Sequence, residues 1–277
     1  MRGVEAAFFD LDKTILSRSS SLVLGRPMYQ AGMVSRRQLV KGAYAQVVYH
    51  LVGADERRME RMKAGILELT RGWERVRVEE IAREALVELA DPYIYQEALD
   101  LIAEHRADGR AIFIVSSSPE EIVAPLAEHV GVPRVIATRA RVVDGKYTGE
   151  LAFYCSGEGK AEAIRAVAER EDLDLAGSFA YSDSITDLPM LEAVGNPVAV
   201  NPDRDLRRVA VERSWPILDF RRRVRLQVRL PLALPGGNST VAGALALAAV
   251  GVAVRWAYGR PRRTRAVEGG RAEAGGL

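Results

Sequence analysis

Short apolar runs that stop abruptly at polar or acidic residues recur along this chain and alternate with stretches of helical period. Ala6 to Phe9 stop at Asp10 and Asp12, and Ala111 to Val115 stop at Ser116-Ser117-Ser118-Pro119. Phe179-Ala180-Tyr181 stop at Ser182-Asp183-Ser184, and Val198-Ala199-Val200 stop at Asn201-Pro202. Runs this short, bounded by turn residues, predict buried strands. Val135 to Thr138 adds another short strand. Arg139 to Phe153 alternates around Asp144-Gly145, a two-residue hairpin signal. Between these runs, Ile94 to Arg106, Glu120 to His129 and Ala161 to Arg170 carry helical spacing. Pro189 sits where a further helix would begin, with Asp187 as its N-cap. Strands alternating with helices predict an α/β fold, a Rossmann-like, mostly parallel sheet with helices on both faces.

Two regions break the alternation. From Leu22 to about Tyr95 the pattern is helical, with charged stretches at Asp55 to Lys63 and Glu79 to Glu88 and no strand signal. This predicts an all-helical insertion over 17–91, set into a core formed by 1–16 and 92–227. Ser17 to Ser21, a polar SRSSS loop, could cap a helix at its start. The tail, 228–277, is different again. Arg221, Arg222, Arg223, Arg225 and Arg229 form a basic cluster at its start, no charge occurs from Leu230 to Val254, and Arg255, Trp256 and Tyr258 follow. The apolar stretch with interfacial aromatics predicts a hydrophobic C-terminal helix over 239–258 that anchors the chain to a membrane. A buried core helix, or an amphipathic segment lying on a partner, is the competing reading.

Composition narrows the classes. The chain has 277 residues, 48% hydrophobic and 27% charged, enough for a sizeable core. A net charge of +2 gives no global field for nucleic acid. One cysteine, Cys155, excludes an internal disulfide framework and a Cys-based zinc site. The N-terminus reaches an acid before any apolar segment of signal-peptide length, so the catalytic part is expected in the cytoplasm. His50, His105 and His129 lie on helical stretches away from every strand end and read as surface or packing residues. Gly157-Glu158-Gly159-Lys160 is not a P-loop, because Tyr154 stands where its first glycine belongs and Ala161 where its Ser or Thr belongs.

Candidate chemistry gathers at strand ends, where ligands bind in open parallel sheets. Asp10, Asp12, Ser116 and Asp183 all fall there. Asp10 and Asp12 are two apart, so a fully extended strand would turn both to one side. Two carboxylates so placed repel unless a cation or a shared proton intervenes. Lys13 and Thr14 can donate hydrogen bonds to anionic oxygens. Each residue has a plainer reading as well: an acidic turn, a helix cap at Asp187, a solvated Lys160.

DLDKT (Asp10 to Thr14), Ser116, Lys160 and SDSITD (Ser182 to Asp187) follow in the order of the four motifs of the haloacid dehalogenase-like superfamily. The helical insertion directly after the first motif resembles the phosphoserine phosphatase-like branch. The resemblance implies a magnesium-dependent phosphatase acting on a phosphomonoester, with these expected roles. Asp10 is the nucleophile that becomes an aspartyl-phosphate, and Asp12 protonates the leaving oxygen and then activates water. Magnesium is held by Asp10, Asp183 and the backbone carbonyl of Asp12. Thr14, Ser116 or its neighbour Ser117, and Lys160 bind phosphoryl oxygens. Asp187 and Ser184 stand behind them, Asp187 on the metal's water shell or on Lys160. Ser19 occupies the position where phosphoserine phosphatases carry a glutamate for the substrate amine, and Arg18 beside it suits an anionic leaving group. A small phosphorylated metabolite is the expected substrate, or a lipid-derived phosphomonoester if the tail is anchored. Transfer to another acceptor, and a phosphate-binding module without activity, are the alternatives.

Overall fold

The computed structural model describes residues 3–20, 27–37, 64–89 and 93–224. Seven strands form one sheet: β1 (Ala6–Asp10), β2 (Ala111–Pro119), β3 (Val135–Val143), β4 (Lys146–Phe153), β5 (Phe179–Ser182), β6 (Asn196–Val200) and β7 (Ile217–Leu218). Their order is β4-β3-β2-β1-β5-β6-β7. All pairings are parallel except β3 with β4, the hairpin turning at Asp144-Gly145. The helices are α1 (Arg75–Leu89), α2 (Gln96–Ala107), α3 (Glu120–His129), α4 (Glu158–Glu171), α5 (Leu188–Glu192) and α6 (Arg204–Glu212).

β1 is fully buried because both its faces are covered. Strand alternation sends Ala7 and Phe9 into one cluster, with Ile102 of α2 and Leu126 of α3. Ala6 and Phe8 enter the other, with Ile164 of α4 and Leu206 of α6. Phe9 stacks on Tyr181 with centroids 4.5 Å apart, and Phe8 on Phe113 at 5.2 Å. Chain order reverses at β1, with β2 on one side and β5 on the other. That is the switch point where such sheets open a crevice.

Several boundaries differ from the sequence pattern. β2 does not stop at Val115. It runs through the three serines to Pro119, with an irregularity in its pairing between Ser116 and Pro119. The Thr138 hydroxyl donates to the Ser117 carbonyl (2.8 Å) and helps hold this polar end against β3. β3 is one continuous strand, Val135–Val143, that runs straight into the hairpin. β7, two residues long, carries no sequence signal and forms by pairing with the end of β6.

In the 17–91 stretch, residues 64–70 and α1 are helical. The segment before α1 pairs with the hairpin. The Gly72 amide donates to the Tyr147 carbonyl (2.8 Å), and the Arg75 amide donates to the Gly145 carbonyl (2.9 Å). Residues 228–277, with the expected membrane helix over 239–258, lie outside the described residues. Among the described residues no helix is long and apolar enough to cross a membrane.

Candidate active site

The sheet's register brings the strand ends level. Asp10 pairs with Val115, so Ser116 follows directly beside it; Phe9 pairs with Tyr181, so Ser182 and Asp183 come up on the other side. Asp10 continues the alternation of Ala6 and Phe8 toward the face covered by α4. Lys160 lies in the first turn of that helix. Its ammonium donates to Asp10 Oδ1 at 2.6 Å and to Asp187 Oδ2 at 2.7 Å. The Ser182 hydroxyl donates to the same Asp187 oxygen at 2.7 Å. Asp10, Lys160 and Asp187 are all buried, Lys160 to 2% exposure. Asp187 therefore serves Lys160. Although it precedes α5, its side chain makes no capping bond there.

The cluster carries more negative than positive charge. Burial raises the Asp10 pKa well above the ordinary carboxylate range, and the charges of Asp187 and Asp183 add to this against Lys160. Burial pushes Asp183 up to about 7, with Lys13 opposing and Asp187 and Asp203 adding. Burial alone would lower the Lys160 pKa. Its two carboxylate partners outweigh that and raise it, so the ammonium stays charged. Asp183 has a second cation nearby, Lys13 Nζ at 3.8 Å, whose backbone is left-handed at φ 64°.

These residues fit magnesium. Two buried carboxylates, Asp10 penalised by burial, Asp187 and Asp183, and Asp183 by burial, Asp187 and Asp203, are relieved by a hard cation that prefers oxygen ligands. Among the described residues no three Asp, Glu, His or Cys side chains converge as a ready-made metal cage. Asp10 and Asp183 with the Asp12 carbonyl are a set of two side chains and one backbone oxygen.

Asp12 lies beyond the end of β1, and its carboxylate is taken up by the start of the insertion. Oδ1 accepts from the Ser20 amide at 2.7 Å; Oδ2 accepts from the Ser20 and Ser19 hydroxyls at 3.2 and 3.4 Å. Burial raises its pKa, and the Ser20 bonds oppose the shift. The extended-strand expectation that Asp10 and Asp12 share one side gives way to this turn, since β1 ends at Asp10.

Ser116 is buried and its hydroxyl accepts from the Ser118 amide at 3.1 Å, while Ser117 is exposed. Thr14 is fully buried and its hydroxyl has no hydrogen-bond partner among the described residues. The Ser184 hydroxyl donates to Asp203 Oδ2 at 3.2 Å, behind Asp183. His105 is a packing residue, buried against Phe9, Phe179 and Tyr181. The sequence reading missed Asp203, which braces the Asp183 loop: its amide donates to the Asp183 carbonyl (2.8 Å) and its carboxylate accepts from the Ile185 and Leu206 amides (2.9 and 2.8 Å). An acid after Asn201-Pro202 and just before a helix is an N-cap signal that could have found it. Ser20, Ser118 and Ser182 were missed as well. Small serines in polar loops carry no distinguishing signal.

A model of the haloacid dehalogenase-like hydrolase family matches residues 7–192, and the chain belongs to that family. Among its relatives, a probable phosphatase of Mycobacterium tuberculosis, Rv3661, is 49% identical over 90% of this chain and 87% of its own. The inhibition of morphological differentiation protein of Streptomyces azureus is 49% identical over 95% of this chain and 98% of its own. Phosphoserine phosphatase SerB1 of Mycobacterium tuberculosis is 35% identical over 87% and 79%. Among solved structures, a protein of unknown function from Bordetella pertussis superposes with a TM-score of 0.68 at 28% identity, over 78% of this chain and 99% of that one.

Proposed function

We propose that the protein is a magnesium-dependent phosphatase that hydrolyses a small phosphomonoester through an aspartyl-phosphate on Asp10. The observation that carries this reading is the buried Asp10–Lys160–Asp187 cluster at the crevice, with Asp183 close enough to raise Asp10's pKa. A purely structural ion pair needs one carboxylate, whereas the Lys160 ammonium is shared between two buried ones.

In this reading Asp10 and Asp183, with the Asp12 carbonyl, hold magnesium, which when bound neutralises charge on the phosphoryl oxygens. Lys160 and Ser116 orient those oxygens. Lys160 engages Oδ1 of Asp10, and the other oxygen attacks phosphorus in line. As the new P–O bond forms, the ester P–O bond breaks and Asp12 gives its proton to the leaving oxygen. A water oxygen then attacks phosphorus, its proton passes to Asp12, and the Asp10–phosphorus bond breaks to release phosphate. The insertion that begins at Ser17 excludes water during the first step.

The substrate class is a small phosphorylated metabolite. SerB1 is named a phosphoserine phosphatase, but here Ser19 spends its hydroxyl on Asp12 and offers no charge to an amine. The guanidinium of Arg18 lies 5.0 Å from the centre of the Tyr93 ring. The catalytic part is placed in the cytoplasm, with the 228–277 tail attaching it to the membrane; a full-length protein that fractionates as soluble without detergent sinks that placement. The central test is hydrolysis of para-nitrophenyl phosphate with and without magnesium, on the protein and on Asp10→Asn. The reading requires magnesium dependence and loss of activity in Asp10→Asn. Equal rates for the two proteins overturn it.

A further inference from the structure

The two oxygens of Asp12 are held differently. Oδ1 accepts a backbone bond, from the Ser20 amide at 2.7 Å, as any helix-capping acid might. Oδ2 accepts from two hydroxyls, those of Ser20 and Ser19. Capping does not need this second set. The Ser20 hydroxyl also lies 2.8 Å from the Ser118 hydroxyl, across 98 residues of sequence, with Ser20 at 1% exposure and Ser118 at 6%. When Asp12 is ionised its carboxylate can only accept, so in that state the Ser20 proton points to Asp12 and Ser118 donates to Ser20. The Ser118 amide in turn donates to the Ser116 hydroxyl at 3.1 Å. A continuous chain, Asp12–Ser20–Ser118–Ser116, thus joins the proton-transferring acid, the start of the insertion and the phosphoryl-contacting end of β2.

We propose that Ser20 is a positioning residue, whose hydroxyl holds the Asp12 carboxylate toward the leaving oxygen and fixes the start of the insertion to Ser118. The proposal rests on the role given to Asp12 above. It predicts that losing the hydroxyl hurts most where the leaving oxygen most needs a proton. Phenyl phosphate expels a phenol whose pKa is near tyrosine's, about 10, and depends on a proton donor. Para-nitrophenyl phosphate expels a stable phenolate and depends on one far less.

The test compares kcat/KM on these two esters for the full chain with magnesium. Ser20→Ala keeps the amide bond to Oδ1 and removes only the hydroxyl link. We expect it to lower kcat/KM on phenyl phosphate roughly tenfold and on para-nitrophenyl phosphate less than about twofold, a fraction of what a general acid supplies. Ser20→Thr, which keeps a hydroxyl, restores the phenyl phosphate rate. Ser118→Ala leaves every Asp12 bond in place and gives a smaller split of the same sign, and it decides the matter should Ser20→Ala not fold. Equal losses on both esters, or no loss, overturn the proposal. Asp10→Asn separates the two levels: if it retains activity on both esters, the phosphatase reading itself fails, whatever Ser20 does.

Discussion

Lys160 sets the charge balance of the site. It is the buried ammonium that pairs with both Asp10 and Asp187, and among the described residues it is the cation in hydrogen-bond contact with those carboxylates. Removing one member of a buried pair leaves charge uncompensated, at a cost of about 3 kcal/mol. Lys160→Met should therefore lower unfolding stability by about that amount in EDTA, read by urea denaturation. It should also lower para-nitrophenyl phosphate hydrolysis by roughly a hundredfold or more through lost electrostatic stabilisation. On the other face of β1, His105 gives a pH prediction. Arg110 Nη1 lies 3.1 Å from His105 Nδ1 and can only donate, so Nδ1 accepts and Nε2 carries the proton toward the Tyr181 hydroxyl at 2.8 Å. Burial, then Arg110, lowers the His105 pKa. The unfolded chain thus binds a proton that the folded chain resists. This histidine's contribution is complete above its ordinary value of about 6.5 and is lost as pH falls through the lower folded value. His105→Gln should lose less stability than the parent between about pH 7.5 and pH 5, seen in urea midpoints.

The helix that brings Lys160 to Asp10 starts at a close approach. A Cβ on Gly159 would lie 2.4 Å from the Tyr154 carbonyl oxygen, so the first turn of α4 fits there only with glycine. Gly159→Ala must displace backbone next to Lys160. The expected cost is about 1–3 kcal/mol of stability, typical of overpacking, with a larger relative loss of activity than of melting temperature. Calorimetry beside the para-nitrophenyl phosphate assay checks the ratio. At this scale the sequence was readable where an element buries itself. The cores of β1, β2 and β5 are apolar runs because both faces are covered, and their abrupt polar ends marked Asp10, Ser116 and Asp183. It was unreadable where partners decide. The polar end of β2 is strand because β3 pairs with Ser116 and Pro119, and β7 exists only beside β6. Asp12's side-chain direction depends on Ser20 eight residues later, which no period encodes.

Across the whole molecule, three passages of chain run side by side near the site: the way into the insertion, the way out, and the exit toward the tail. The Ser17 amide donates to the Tyr93 carbonyl at 2.6 Å and the Tyr95 amide to the Ile15 carbonyl at 2.9 Å. On the far side, the Gln96 amide donates to the Arg222 carbonyl at 2.8 Å and the Val224 amide to the Ile94 carbonyl at 3.0 Å. Glu97 fastens the outer passage. Its carboxylate accepts from the Arg221 and Arg222 amides at 3.1 and 2.9 Å and from the Arg222 guanidinium at 3.2 Å. Burial would raise its pKa, but these bonds outweigh burial and lower it. Glu97→Ala should free the exit without disturbing the sheet, because Ala6 to Asp10 are secured by β2 and β5. Local opening draws on the weakest-held segments first. Hydrogen exchange should therefore speed up at Arg221, Arg222 and Val224, with trypsin cutting sooner after Arg221 to Arg223, while amides of β1 keep their protection. If the Tyr95 and Ser17 amides also exchange faster, the exit and the two connections at Ser17 and Tyr95 open as one unit. If only the Arg221 to Val224 amides respond, the outer passage is an independent strap that opens without the connections at Ser17 and Tyr95.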